Sequence, residues 1–211
     1  MNSLMDKVVQ HLDSDIFTDT ALRHLIKGTN DRRYGLVKRA LKAGDLIHLR
    51  RGLYALPKRY QRRSCNLYEI AQKIYGPSYI SFESALSYHQ WILEAVYTVT
   101  SACSKRSKEI KTPLGVFSYT HIPSNQFFVG VQRISASDGD FFMATPWRAL
   151  VDLIYIQKKD WKGLKPVIES LRIDKNQLQD VDFRLFEELR QATGSMRVKK
   201  FIDSVKKELL P

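Results

Sequence analysis

The residues of this chain with the clearest chemical capacity are cations gathered in one short stretch. Residues 23–63 contain 13 lysines and arginines against only two acids, Asp31 and Asp45. Guanidinium and ammonium groups bind phosphate oxygens through charge-assisted hydrogen bonds, and arginine makes two such bonds at once. Like charges concentrated in this way repel one another unless they face a negative surface. The stretch therefore predicts a polyanionic partner, with nucleic acid favoured.

The composition of the whole chain limits what that partner can be. The 211 residues carry a net charge of +12, and 44% of them are hydrophobic, which is typical of a folded protein with a basic surface. No apolar stretch approaches the roughly 20 residues needed to cross a bilayer. The first 14 residues lack the apolar region of a secretory signal. Cys65 and Cys103 are too few for a disulfide framework or a cysteine-based zinc site. We therefore expect a cytoplasmic protein with no membrane partner.

Patterns that would indicate an enzyme are weak in this sequence. Asp138-Gly139-Asp140 is similar to the paired metal-binding aspartates of a nucleotidyltransferase, but the glycine-serine loop that precedes such a pair is absent, and Asp-Gly favours a hairpin turn. Glu83 and His89 are six residues apart and miss the helical spacing of a metal-binding pair. There is no P-loop, dinucleotide-binding glycine pattern or nucleophile elbow. We expect no catalytic residue, no metal site, no cofactor and no enzymatic activity, with a DNA-targeted nuclease as the less favoured alternative.

Three helices and a hairpin are predicted to position the cations. Apolar residues recur at helical spacing over residues 4–12 and 18–26, and a third helix follows over residues 30–43. Gly28 and Gly44 end the second and third helices. Two apolar runs around Arg50-Arg51-Gly52 then predict a hairpin. This order is the plan of a winged helix-turn-helix, whose third helix enters the DNA major groove while the hairpin, or wing, contacts the backbone or minor groove.

The third helix separates into an apolar and a basic side at about 100° per residue. Tyr34, Leu36, Val37, Ala40 and Leu41 fall on the predicted core side. Arg33 also falls within that apolar arc, against the pattern. Gly35 lies among long side chains on the basic side, where it costs the helix about 1 kcal/mol relative to alanine. A close approach of DNA or a packing requirement would explain that glycine. The predicted DNA contacts are Arg32, Arg33, Tyr34, Lys38, Arg39, Arg50 and Arg51.

A basic linker over residues 58–64 predicts two domains, 1–63 and 64–211. The second domain is expected to begin helix, strand, helix. Further strands are predicted near residues 96–102, 109–111, 116–122, 127–134 and 141–143, and helices are predicted after Thr145 and over about 160–172, 182–193 and 196–209. The expected fold class is α+β: an N-terminal winged helix-turn-helix followed by a larger α+β domain with an antiparallel sheet and C-terminal helices.

Three segments of the sequence resemble AbiEi-type antitoxins. Residues 34–57 read YGLVKRALKAGDLIHLRRGLYALP and end in a wing similar to that family's Arg-Gly-Leu-Tyr wing. Residues 79–89 read YISFESALSYH, and residues 144–153 read ATPWRALVDL. The resemblance extends from about residue 18 to about residue 155, and the segment after it resembles no family that we can name. Residues 90–94, QWILE, stand where that family has a glycine and a proline-bearing loop.

The resemblance implies a particular function. It implies an antitoxin of a type IV toxin–antitoxin pair that represses its own operon by binding double-stranded operator DNA through the winged helix. It also implies a C-terminal domain that counters a nucleotidyltransferase-like toxin without a stable complex between the two. The main alternative is a plain winged-helix transcription regulator whose second domain binds a ligand or dimerises.

Overall fold

The computed structural model describes residues 3–94, 96–123, 125–179 and 181–210. Within these ranges the chain is mixed α+β, with nine α-helices and two sheets, one of three strands and one of six. The α+β class predicted from the sequence is therefore confirmed. Among the described residues no helix has both the length and the apolar character needed to cross a membrane.

The N-terminal elements follow the predicted order, with one strand added. They are α1 (Ser3–His11), β1 (Ile16–Thr18), α2 (Asp19–Leu25), α3 (Asn30–Lys42), β2 (Ile47–Arg50) and β3 (Leu53–Ala55). The strands form an antiparallel sheet in the order β1-β3-β2. Thr18 and Thr29 cap α2 and α3, because each threonine hydroxyl accepts a hydrogen bond from a backbone N–H of the first helical turn. The short strand β1 is absent from the prediction, since its three residues are too few to show a periodicity.

The three helices and one face of this sheet enclose a first apolar core. The buried residues of this core are Leu4, Met5, Val8, Phe17, Leu22, Ile26, Val37, Ala40, Leu46 and Leu56. All of them lie within the first 56 residues, so this module buries its own set of side chains. The side of α3 that carries Val37 and Ala40 therefore faces inward, and its other side is left to solvent.

The remaining elements build a larger sheet covered by helices. They are α4 (Leu67–Ile74), β4 (Ser78–Ile80), α5 (Phe82–Tyr88), β5 (Thr98–Cys103), β6 (Lys108–Thr112), β7 (Gly115–His121), β8 (Val131–Ala136), β9 (Gly139–Ala144), α6 (Pro146–Gln157), α7 (Lys165–Leu171), α8 (Phe183–Ala192) and α9 (Met196–Leu209). Short 3-10 helices occur at Lys58–Tyr60 and Gln177–Gln179. The strand order is β6-β7-β5-β4-β9-β8. Helix α5 ends at Tyr88, and two residues later Gln90 adopts a left-handed conformation with φ of 61°.

The prediction of an antiparallel sheet is wrong. Strand β5 pairs in parallel with β7, and β4 pairs in parallel with β9, while the other neighbours are antiparallel. Parallel neighbours need a crossover connection, and β6 provides one by pairing with the far edge of β7. The sheet is therefore mixed. The sequence does not predict this, because the strand order is set by contacts between segments that are distant in sequence.

The strand predicted over residues 127–134 is displaced. Residues 127–130 form a turn, in which Gly130 has φ of +69°, and the strand begins only at Val131. The ring of Phe127 packs on the buried Tyr79 with centroids 4.9 Å apart. In contrast, the hairpin turn predicted at Asp138-Gly139 is confirmed, because Ala136 pairs directly with Gly139.

Both faces of the three-stranded sheet contribute side chains to an apolar core. Its second face carries Ile16, Leu49, Leu53 and Ala55, and these four belong to the core of the larger sheet rather than to the first core. Strand β2 at the edge of the small sheet contacts β6 at the edge of the large one. The division at residue 63 remains a prediction, and apolar contacts cross it.

Candidate nucleic-acid interface

Helix α3 presents a basic face to solvent. Four cations of this face are exposed, namely Arg32, Lys38, Arg39 and Lys42. The helix begins at a threonine cap with an acid in its first turn and ends with cations in its last turn, which suits the helix dipole at both ends. The cap and the buried residues on the opposite side fix the rotation of α3, so the four cations point away from the core.

Arg33 and Tyr34 both fall on the core side of the predicted arc, but only Arg33 is buried. The arc places Tyr34 on the core side, yet its side chain is 69% exposed, whereas Arg33 is only 8% exposed. The Arg33 guanidinium donates a hydrogen bond of 2.6 Å to Oδ1 of Asn30. Side chains of a helix lean toward its N-terminus, so a residue in the first turn can cover the helix start rather than the core below it. The burial of Arg33 argues against a DNA contact, and Tyr34 is accessible for one.

The tip of the β2–β3 hairpin carries the second pair of predicted contacts. Arg50 and Arg51 are exposed, and Gly52 completes the turn with φ of +73°, a conformation that side chains rarely adopt. The Gly52 carbonyl accepts a hydrogen bond of 2.9 Å from the backbone N–H of Asp19, which ties the tip to the start of α2. Below the tip, Leu49 and Leu53 are buried, whereas His48 of β2 is exposed.

The structure divides the cations of residues 23–63 into two groups. The linker arginines have acidic partners: Arg59 lies 2.7 Å from Asp45, Arg62 lies 3.4 Å from Asp15, and Arg63 lies 3.0 Å from Glu69. The hydrogen bond that Arg59 donates to Asp45 raises the pKa of Arg59. In contrast, nine cations of this stretch have no acidic partner among the described residues. Six of them are exposed on α3 and at the tip of the β2–β3 hairpin, and the other three are Lys27, Lys58 and the buried Arg33. Within residues 23–63, exposed charge without an acidic partner is therefore concentrated on α3 and the hairpin tip, at Arg32, Lys38, Arg39, Lys42, Arg50 and Arg51.

A groove separates α3 from the wing. It has a volume of about 770 Å³, and its walls include Tyr34 and Lys38 from the helix and His48 and Tyr54 from the sheet. The rings of His48 and Tyr54 lie 5.8 Å apart, and partial burial raises the pKa of Tyr54. No sequence pattern indicates this groove, because it forms between elements that are not adjacent in the chain.

Replacing Gly35 with alanine is expected to stabilise the protein by up to about 1 kcal/mol, the cost of glycine in a helix interior. An added Cβ would meet only Nη1 of Arg39, at 3.9 Å, so packing does not require the glycine. Gly28→Ala is the matched control and should destabilise, since Gly28 has φ of +116° and its Cβ would lie 3.3 Å from Cδ of Arg32. Thermal unfolding of the full chain measures both effects. A less stable Gly35→Ala protein would contradict the conclusion that packing does not require the glycine.

A buried polar network lies in the second part of the chain. Asp152 accepts hydrogen bonds of 2.8 Å from the hydroxyls of Tyr79 and Ser81, and one of 3.0 Å from Nε of Arg148. Arg148 also donates to the Tyr79 hydroxyl and, at 2.8 Å, to the carbonyl of Val129. Arg148 and Asp152 are 3% and 2% exposed. These groups satisfy one another and leave no atom of the ion pair open to a ligand.

Protonation in this network is governed by burial and by the ion pair. Burial, reinforced by the Asp152 charge, raises the pKa of Tyr79. Burial lowers the pKa of Arg148, but the Asp152 carboxylate and Tyr79 outweigh it, so that the pKa is raised. The network therefore holds a protonated tyrosine and a charged arginine.

Two of the three segments that resemble AbiEi antitoxins, residues 79–89 and 144–153, meet in this network. Sequence reasoning missed the pair, although the spacing of Arg148 and Asp152, four residues on one helix, was a usable signal.

The weak enzyme patterns do not assemble into a site. The ring nitrogen Nε2 of His89 donates to the carbonyl of Ala144 at 2.9 Å, and burial lowers the pKa of this histidine. Asp140 pairs with Arg133 at 2.6 Å on the surface of the β8–β9 hairpin. No three His, Cys, Asp or Glu side chains of the described residues gather closely enough to hold a metal ion. The prediction that the chain is not an enzyme remains a prediction.

Comparison with known proteins adds no family assignment. The chain matches none of the protein-family models against which it was scanned. No curated protein matches it either. The resemblance to AbiEi antitoxins therefore rests on the three sequence segments alone.

Proposed function

We propose that this chain is a winged helix-turn-helix protein that binds double-stranded DNA, and that it acts as the antitoxin and autorepressor of a type IV toxin–antitoxin operon. The observation that carries the DNA-binding proposal is the set of six cations on α3 and the wing tip that have no acidic partner among the described residues. Unpaired charge of this kind is stabilised when it displaces counterions from a phosphate backbone.

The arrangement of the elements supports duplex DNA as the ligand. The 13 residues of α3 make a helix about 20 Å long, which fits the major groove. Strands β2 and β3, which carry the Arg50-Arg51 turn, line a groove together with α3 through His48 and Tyr54, which supports a duplex that meets both the helix and the hairpin. Gly35 interrupts the row of long side chains on α3 and allows the helix backbone to approach base edges. Lys38 and Arg39 are assigned to base edges, and Arg50 and Arg51 to the sugar–phosphate backbone.

The antitoxin and autorepressor roles are supported by the resemblance. Its first segment, residues 34–57, covers most of α3 and the whole wing, and thus the surface assigned to DNA. Its other two segments build the buried network around Asp152, so they account for the fold of the second part rather than for a toxin contact. A plain transcription regulator would use the same DNA-binding surface, and the two are distinguished by whether the neighbouring gene encodes a toxin.

The DNA-binding proposal is tested on the full chain with paired substitutions. Lys38→Ala with Arg39→Ala is expected to reduce discrimination between operator and random duplex by about 1–3 kcal/mol for each base-edge interaction that is removed. Arg50→Ala with Arg51→Ala is expected to weaken all duplexes equally and to lower the salt dependence, as removal of phosphate contacts does. Fluorescence anisotropy across a salt series measures both.

The matched control removes two exposed lysines from the helical C-terminal part, Lys159→Ala with Lys162→Ala, and should leave binding unchanged. Sequence-independent losses of equal size from the helix and wing variants would contradict the assigned roles. In cells, the helix variant should lose promoter repression and still relieve growth arrest by the neighbouring toxin. If the unaltered chain gives no relief, the antitoxin proposal is wrong and the plain regulator replaces it.

A further inference from the structure

A second basic groove lies where the two sheets meet. It runs between the edge strands β2 and β6 and has a volume of about 840 Å³. One wall is the wing tip with Arg50 and Arg51. The other wall, formed by the β5–β6 loop and β6, carries Lys105, Lys108 and Lys111. We call this the β2–β6 groove.

The charge in the β2–β6 groove is almost uncompensated. Five cations line it, and the only acid among its described lining residues is Glu109, an exposed side chain 3.6 Å from Nζ of Lys111. Cations with so little counter-charge repel one another unless an anion lies between them. They are exposed and form no enclosed pocket, which suits an extended phosphate backbone better than a small molecule.

The lysine wall is held in place by the sheet. The ammonium groups of Lys105 and Lys108 lie 5.9 and 6.0 Å from the centre of the Tyr75 ring, within the range of a cation–π contact. The Tyr75 hydroxyl donates a hydrogen bond of 3.1 Å to the backbone carbonyl of Arg106. The Ser107 hydroxyl accepts one of 2.9 Å from the backbone N–H of His121. The loop that presents the lysines is therefore anchored at several points.

We propose that the β2–β6 groove extends the DNA interface beyond the N-terminal module, so that Lys105, Lys108 and Lys111 contact phosphates of the duplex that α3 and the wing bind. This inference rests on the proposed function. The two grooves form one surface, since His48 and Pro113 line both of them. Arg50 and Arg51 line the same groove as the lysines, and His48 and Pro113 join that groove to the one beside α3. The lysines supply affinity without sequence preference, because contacts to phosphate carry no base information.

Counts of charged residues along the sequence do not indicate the position of these lysines in the fold. Residues 23–63 carry 13 cations and two acids, whereas residues 64–211 carry 20 cations and 16 acids, so a count along the chain assigns little excess charge to the second part. The strand order nevertheless brings three cations of that part beside the wing. Because β6 crosses to the far side of β7, it becomes the sheet edge that meets the wing.

The test compares two triple variants of the full chain that remove the same charge. The groove variant is Lys105→Gln, Lys108→Gln and Lys111→Gln, and the control is Lys159→Gln, Lys162→Gln and Lys175→Gln, three exposed lysines of the helical part. The probes are a fluorescent duplex from the chain's own promoter region and a random duplex of equal length. The groove variant should bind both duplexes about tenfold or more weakly at physiological salt, with a salt dependence shallower by roughly one for each phosphate no longer neutralised. The control should match the unaltered chain.

Three outcomes overturn the inference, and they are distinguishable. If the unaltered chain binds duplex and the groove variant binds as the control does, the groove is not part of the interface and the proposed function stands. If the unaltered chain binds no duplex even at low salt, the proposed function fails and the groove assignment fails with it. If the groove variant loses affinity for a structured RNA of similar length but not for duplex, the groove serves RNA. Circular dichroism of each variant establishes folding, and Lys108→Gln alone, expected to show about a third of the change in salt dependence, replaces a triple variant that does not fold.

Discussion

A fragment of residues 1–63 is expected to be unstable in isolation, although its helices and sheet enclose a core of their own. Removing the rest of the chain exposes Ile16, Leu49 and Leu53 on one face of the three-stranded sheet. Each of these side chains loses about 1.5–3 kcal/mol of burial free energy. The sum is comparable with the whole stability of a typical domain, about 5–15 kcal/mol. DNA binding by this surface therefore has to be measured on the full chain.

Circular dichroism and thermal unfolding of the fragment, beside the full chain, measure this effect. The fragment should lack a cooperative transition, or melt far below the full chain. A second fragment with Leu49→Thr and Leu53→Thr controls for aggregation, because it removes the exposed apolar face without changing the first core. A cooperative melt of the original fragment close to that of the full chain would show that the N-terminal module is independent.

Replacing Asp152 with asparagine is expected to destabilise the full chain by about 3–5 kcal/mol, the cost of breaking a buried ion pair by removing one partner. The substitution keeps the shape of the side chain but leaves the Arg148 guanidinium charged and 3% exposed, with no counter-charge. It also replaces the acceptor of the Tyr79 and Ser81 hydroxyls. The network joins α6 to Tyr79 of β4 and to Ser81, which directly follows that strand. Its disruption therefore weakens the attachment of the helix to the sheet.

The matched control for this substitution is Asp203→Asn. Asp203 pairs with Arg190 at 2.7 Å, but the two side chains are 48% and 40% exposed, so breaking that pair should cost at most about 1 kcal/mol. Urea unfolding gives both values on one scale. Similar losses of stability from the two variants would contradict the structural role of the Asp152 network. If the expected difference is found, loss of antitoxin activity by variants in residues 144–153 has to be separated from loss of folding.

The N-terminal module shows how much is predictable from local sequence. Helix α3 is expected over residues 30–43 and spans Asn30–Lys42. A threonine cap at one end and Gly44 with φ of +69° at the other set its bounds, and both signals act within one turn of the helix. The turns at Gly52 and at Asp138-Gly139 are predictable for the same reason. The location of the charge is also readable, because it needs only a count of residue types.

Features that lie beyond sequence prediction depend on elements that are distant along the chain. The exposure of Tyr34 is one such feature, because the helical arc places it on the core side, whereas it lines a groove that α3 forms with β2 and β3. The linker arginines are paired because acids from residues 15, 45 and 69 come to them in space. The candidate site therefore excludes Arg33, one of the seven residues that the sequence assigns to it. For the other cations of residues 23–63, only the structure shows which of them have an acidic partner and which do not.

The sequence by itself determined the α+β class, the helices and turns of the N-terminal module, and a concentration of cations that favours a polyanion. Each of these depends on residue types and on spacing within a few positions, where backbone geometry and capping act. Tertiary structure alone decided the mixed strand order, the burial of one face of the three-stranded sheet in the core of the larger sheet, and the position of β6 beside the β2–β3 hairpin. The physical reason is that strand pairing and apolar burial lower the free energy through contacts between distant segments, which local periodicity does not record.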